Sequence, residues 1–151
     1  MSAIIENIDL QIHGKLSTQE VNMLHPLILA YIGDTIYDLF VRTFIIINKK
    51  GSVHKLNKLA IEYVKAGSQC CALHELDHLL TEEEQSIVRR GRNVKSGTTP
   101  KNADVVEYRW ATGLEALIGY LYLTGENERL NFLMNRILRE RGESKDEQGQ
   151  C

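Results

Sequence analysis

Apolar positions recur along most of this chain at a period near 3.6 residues, and caps, glycines and one polar stretch divide them into helices. Ser17-Thr18-Gln19-Glu20 has the form of a capping box and predicts a short first helix. Pro26 opens the next, because its missing N–H would be unpaired at a helix start anyway. That helix is predicted over Pro26–Asn48 and is closed by Lys49-Lys50-Gly51. It is apolar nearly all round, which predicts burial on several sides, and its exceptions Asp34, Asp38 and Arg42 recur every fourth residue as one polar seam. Ser52 caps a helix bearing Val53, Leu56, Leu59, Ala60, Tyr63 and Val64 that ends near Gly67. Another covers about Ser68 to Leu80. Thr81-Glu82-Glu83-Glu84 then places a cap and three acids in a first turn, with Arg89-Arg90 in the last turn and Gly91 as the stop.

Between Gly91 and Ala103 the apolar period disappears, which predicts one long internal loop of the kind that tends to be functional in a compact domain. Asp104 can cap a helix to about Thr124, and Glu126 to Arg141 forms the last, with Leu130, Leu133, Met134, Ile137 and Leu138 as its inner stripe. No segment combines strand alternation with hairpin turns, so the fold class is all-α. The expected organisation is an N-terminal extension and short helix over residues 1–25, a single helical domain over 26–141 and a mobile tail over 142–151.

With 151 residues and 43% hydrophobic content, the chain can bury a core without staples. A formal charge of −2 excludes a general polyanion binder, so any nucleic-acid affinity must come from local clusters of Lys and Arg. Cys70, Cys71 and Cys151 give neither a disulfide framework nor a CxxC spacing, which fits a reducing, cytoplasmic setting. The first residues lack a basic segment followed by a long apolar one, so no signal peptide is expected. Leu27–Ile47 could span a bilayer by length, but Asp34, Asp38 and Arg42 interrupt it, and no membrane association is expected.

The chemistry concentrates at two acids in apolar surroundings, Asp34 and Glu115. A lone buried carboxylate is costly, so either each has its own partner or both face one cation. Gly33 precedes Asp34, and Gly113 and Gly119 flank Glu115; glycine is unfavourable inside a helix, which points to close approach of helices or of a ligand. In the alternative reading the glycines serve packing alone and the acids pair with Arg42 or Arg109. A second cluster runs from Arg89 to Asn102, with Arg89, Arg90, Arg92, Lys95 and Lys101 as cations and no acid. Interleaved Ser96, Thr98, Asn and Gly supply the hydroxyls and N–H groups that phosphate contacts use. Aromatics are absent there, which favours a duplex read by shape over stacked single strands. Cys70, His74 and His78 fall at i, i+4, i+8, but one helix cannot wrap a tetrahedral zinc unaided. Trp110, Tyr120 and Tyr122 have the spacing of core or interface residues.

The segments Ala30–Arg42, Arg90–Asn102 and Glu115–Leu121 together resemble the Mini-III ribonucleases, the short bacterial branch of the ribonuclease III family, from about Leu27 to Leu138. The resemblance implies a ribonuclease III-like all-helical homodimer that cleaves double-stranded RNA with Mg²⁺, with Mn²⁺ able to substitute. It also implies maturation of the 5′ and 3′ ends of precursor 23S ribosomal RNA, with help from a ribosomal protein possible, and products bearing 5′-phosphate and 3′-hydroxyl ends. Asp34 matches the aspartate of the family's Gly-Asp signature and Glu115 the glutamate of its second signature, making these two the catalytic and metal-binding residues. Arg89, Arg90, Arg92, Lys95, Ser96, Thr98 and Lys101 are the expected RNA-binding set. Longer ribonuclease III enzymes carry two further acids, at positions that are Ala30 and Thr112 here. Two rival readings remain at this level: a non-catalytic double-stranded-RNA or ribosome-binding module on the same fold, and a helical interaction protein without RNA affinity.

Overall fold

The structure, a computed structural model, describes residues 16–94 and 104–143. The expectations for residues 1–15, for the loop bearing Lys95, Ser96, Thr98 and Lys101, and for the tail after Glu143 lie outside the described residues. Among those described, every regular element is helical: α1 (Thr18–Met23), α2 (Pro26–Asn48), α3 (Val53–Val64), α4 (Ala66–Leu76), a 3-10 turn (Asp77–Leu79), α5 (Glu82–Asn93), α6 (Val105–Leu123) and α7 (Asn127–Glu143).

The starts follow the local chemistry expected of them. Ser17 and Glu20 form a reciprocal capping box, as do Thr81 and Glu84, while Ser52 and Asp104 accept from the free N–H groups of α3 and α6. Three ends depart from the sequence expectation. The α3 helix stops at Val64 because Lys65 is extended and serves both as its C-cap and as the N-cap of α4, so α4 begins at Ala66. The α4 helix ends at Leu76, and only the 3-10 turn carries the chain towards Leu80. Gly91 does not end α5, which continues to Asn93. Its role is spatial: a Cβ there would lie 2.9 Å from the Gly113 Cα, so the two glycines let α5 and α6 touch backbone to backbone.

The central element is α6, which packs against α2, α4 and α5. Leu114, Ala116, Leu117 and Ile118 along it are fully buried, and the stripe Leu130, Leu133, Met134, Ile137 and Leu138 brings α7 onto the same core. No described helix is long and apolar enough to cross a membrane. Among the described residues of this single chain, the apolar character of α2 is only half used, and the burial predicted on several sides is met on one. Leu29, Ile36, Tyr37, Phe40, Val41 and Ile45 are buried, whereas Ile28, Tyr31, Ile46 and Ile47 are exposed.

The α2/α6 crossing is closer than side chains allow. A methyl group added at Gly33 would overlap the Glu115 carbonyl oxygen, and one added at Gly119 would overlap the Leu29 carbonyl oxygen. Both glycines are required by contact, with backbone on the far side that cannot rotate away.

A second internal tie joins α5 to α7. Glu84 is buried and receives two hydrogen bonds from Arg129, Nε at 3.0 Å and Nη2 at 2.8 Å, while Arg129 also donates to the Leu79 carbonyl at 2.7 Å. Burial alone would push the Glu84 carboxyl up, but the hydrogen bonds from Arg129 and Thr81 and the guanidinium charge outweigh it and hold the carboxyl below its ordinary value of 4.5.

Two predictions follow from these ties. Gly33→Ala gains about 1 kcal/mol of helix propensity, yet must separate two backbones, and overpacking of this kind costs about 1–3 kcal/mol or more. At the upper end of that range the net loss is about 2 kcal/mol, which lowers the melting temperature by roughly 4–8 °C for a domain of this size; a variant as stable as the wild type would refute the close crossing. Glu84→Gln should lower stability by about 1–3 kcal/mol at neutral pH, because the partly exposed Arg129 guanidinium loses a buried, hydrogen-bonded counter-charge. The folded Glu84 carboxyl is depressed, so its contribution is complete above the unfolded value and is lost as pH falls through the folded one. Urea midpoints of variant and wild type should therefore differ at pH 7 and converge as the pH drops below about 4.

Candidate active site

The crossing that needs Gly33 also sets the position of two acids. Asp34 follows Gly33 on α2, and Gly33 lies against the backbone of Glu115 on α6, so the carboxylates of Asp34 and Glu115 project beside one another from two helices locked at their closest approach. Asp34 is exposed and Glu115 is partly buried, giving the pair one face towards solvent. The charge of Asp34 acts on the Glu115 carboxyl, so the two lie near one another.

Their electrostatics are those of an uncompensated pair. Burial and the charge of Asp34 push the Glu115 carboxyl up to about 8, opposed only by a hydrogen bond from the Gln69 side chain. Burial and the charge of Asp38 raise Asp34 as well. Among the described residues neither acid joins an ion pair. The alternative of a partner for each fails on the two arginines it invoked: Arg42 binds Asp38 at 2.9 Å, and Arg109 is exposed with no ion pair to either acid. Two carboxylates raised by burial and mutual repulsion, open on one side, fit a divalent cation, which would remove the repulsion. With two protein carboxylates such an ion would keep several waters and take phosphate oxygens from a substrate to complete its coordination.

Gln69 is the residue that sequence reasoning missed. It lies on α4 at 1% exposure, on the face that also buries Leu73 and Leu76. The available signal was a long polar side chain on an apolar stripe (Gln69, Leu73, Leu76).

Of the expected RNA-binding residues, Arg89, Arg90 and Arg92 fall on the last turns of α5. Arg89 and Arg90 line an open depression of about 420 Å³ with Pro26, Ser86, Asn93 and Val94. Arg90 Nη2 also donates to the carbonyls of Asn22 and Leu24, at 3.5 and 3.4 Å, tying α1 to α5. Arg92 donates to Asn93 Oδ1 at 2.9 Å and lies 4.7 Å over the Trp110 ring. Trp110 in turn meets His74 edge-on at 5.1 Å. His74 Nδ1 lies 2.8 Å from the Cys70 carbonyl oxygen and 3.6 Å from Cys70 Sγ, and among the described residues these side chains form no group of three metal-ligating residues. Tyr120 is core, its hydroxyl donating to Glu83 at 2.8 Å, and Tyr122 packs against the same core.

Known proteins agree with this arrangement. The family model of the Ribonuclease III domain matches residues 27–126, a span that contains both acids and the four glycines of the helix crossings, Gly33, Gly91, Gly113 and Gly119. A Mini-ribonuclease 3 from Thermoanaerobacter sp. is 48% identical over 134 residues, covering 89% of this chain and 91% of that protein. Its counterpart from Clostridium tetani is 44% identical over 137 residues, covering 90% and 91%. An X-ray crystal structure of a protein from Fusobacterium nucleatum superposes with a TM-score of 0.72 at 31% identity, over 79% of this chain and 95% of that one. Fold, paired acids and similarity along nearly the whole chain converge, and the chain belongs to the ribonuclease III family, in its Mini-ribonuclease 3 branch.

Proposed function

We propose that this protein, an endoribonuclease by its family, cleaves double-stranded RNA with Mg²⁺ held by Asp34 and Glu115 and acts on the ends of precursor 23S ribosomal RNA. The observation that carries the reading is the pair itself: two acids forced together at a glycine crossing, with no basic residue against them among those described. A protein that only bound RNA would have no use for that repulsion. When bound, Mg²⁺ supplies a Lewis acid at the scissile phosphate and lowers the pKa of coordinated water.

The chain's own residues supply position and charge. Asp34 and Glu115, brought near one another at the crossing, would offer their carboxyl oxygens to the cation, whose charge would offset theirs and let a substrate phosphate approach the pair. Arg89, exposed at the end of α5, and the open depression that it lines with Arg90 offer a phosphate contact that fixes register on a duplex without reading bases. Lys95, Ser96, Thr98 and Lys101 would extend that contact along the backbone. Arg90 and Arg92 contribute positive charge while anchored to α1 and to Trp110, so they serve as fixed rather than mobile cations.

Cutting both strands needs two sites related by two-fold symmetry. Leu27, Tyr31 and Asp34 lie at i, i+4 and i+7 on α2, so the exposed apolar stripe runs directly into the acid. With Met23 at 82% and Tyr31 at 81% exposure, a second copy covering this stripe would satisfy the half of α2 that one chain leaves bare.

Asp34→Asn and Glu115→Gln, nearly isosteric but uncharged, should each reduce cleavage of a labelled RNA duplex by ~100-fold or more while retaining binding in a gel-shift assay. Cleavage near the wild-type rate by either would remove that carboxylate from the mechanism. Sedimentation at micromolar concentration should show a two-subunit species, and Tyr31→Asp should shift it to the monomer and impair double-strand cleavage. A monomeric wild type that still cuts both strands would rule out the symmetric arrangement.

A further inference from the structure

Three polar side chains are buried among the described residues: Ser68, Gln69 and Glu84. Ser68 donates to the Glu62 carbonyl and Glu84 is fully engaged by Arg129 and Thr81, so both repay their burial locally. Gln69 does not. Its side chain hydrogen-bonds the Glu115 carboxylate, and its Oε1 is buried without a protein partner. Asn131 Oδ1 is also unpartnered, but the Asn131 amide only bonds back to Asn127 within α7. A buried, unpaired carbonyl oxygen costs stability, and a leucine would fill similar space on that apolar face without it. What glutamine adds is the one contact that touches a reacting group.

We infer that Gln69 is the positioning residue for Glu115, its side-chain N–H fixing the buried carboxylate in the orientation in which it joins Asp34 to bind the divalent cation. The inference rests on the reading of Asp34 and Glu115 as the cation's ligands. The chemistry of the side chain suits this task better than its ionic alternatives. Lysine or arginine at this position would hold Glu115 equally well but would neutralise it and compete with the cation. Glutamate would add a third negative charge to a pair already in repulsion. An amide occupies one lone pair of the carboxylate, leaves the others free and preserves the full negative charge of the site. Its place on α4, packed against α6, also makes the ligand's orientation independent of α2, which carries the other acid.

Gln69→Leu in the full-length protein tests this, with Asp34→Asn and Glu115→Gln measured alongside. Thermal melting during a Mg²⁺ titration without RNA reads cation affinity apart from catalysis. Loss of an orienting partner should raise the Mg²⁺ concentration for half-maximal stabilisation by roughly 10–100-fold, the usual range for such partners. The kcat at low Mg²⁺ should fall in parallel and recover as Mg²⁺ is raised, while KM for an RNA duplex stays near the wild-type value. The melting temperature without metal should be no lower than that of the wild type, which separates positioning from a packing role. Should Gln69→Leu fail to fold, Gln69→Met, which also lacks a donor but is more adaptable, is read by the same criteria. Wild-type Mg²⁺ affinity and kcat in the folded variant, with Asp34→Asn and Glu115→Gln defective in both, would overturn the role of Gln69 alone. Normal Mg²⁺ stabilisation and cleavage in all three variants would overturn the metal-site reading and this inference together.

Discussion

The backbone contact between α2 and α6 is the constraint on which the rest depends. Gly33 meets Glu115 and Gly119 meets Leu29, so the two longest helices approach at two points, each barring any side chain. Helices packed through ordinary side chains stand about 8–10 Å apart, whereas the glycines let these two meet backbone to backbone. Here the approach is fixed by atoms that have no rotamers. The position of Asp34 relative to Glu115 is therefore inherited from the fold, and the glycines at Gly91 and Gly113 repeat the device where α5 meets α6. With α6 gripped on two sides this way, the acid on it is held by main chain first and by side-chain contacts second.

The same residue type meets opposite electrostatics within one small domain. Glu84 is buried and depressed because Arg129 and a helix N-terminus supply the compensation. Glu115 is partly buried and raised, first by that burial and then by the charge of Asp34, which the hydrogen bond from the neutral Gln69 amide only partly offsets. The first arrangement stabilises the fold in isolation. The second works against it, and such a local conflict with stability is what a functional site imposes.

Most of the helical framework was legible because it is written in local terms. Ser17, Ser52, Thr81 and Asp104 are caps by chemistry alone, and Pro26 can begin a helix but not continue one. Asp34 and Glu115 stood out as charges in apolar helices, and their glycine neighbours signalled a close crossing. The misreadings concern residues whose role is set by a distant partner. Gly91 looks like a stop because glycine is a frequent C-cap, whereas its neighbour in space is Gly113. Gln69 is an ordinary polar letter until α4 is laid on α6, and Arg129 is one of several arginines until α7 brings it to Glu84. Lys65 ends one helix and begins another with a single extended residue, a change of backbone angle that no side-chain pattern announced.

The basic end of α5 shows why a cluster of like charges is not a uniform surface. Arg90 is bound to carbonyls at the end of α1, Arg92 is stacked on Trp110, and Arg89 alone of the three is exposed without a hydrogen bond or ring contact of its own. The stacked arginine also ties α5 to α6 through Trp110 and onward to α4 through His74, so charge and packing are shared by one side chain. Positive charge held in this way contributes to the field around the site without the entropy cost of immobilising a long flexible chain at each encounter. A phosphate approaching α5 thus meets two cations already fixed by the fold and one free to adjust. That division lets a domain of near-neutral total charge present a locally basic edge at the end of α5.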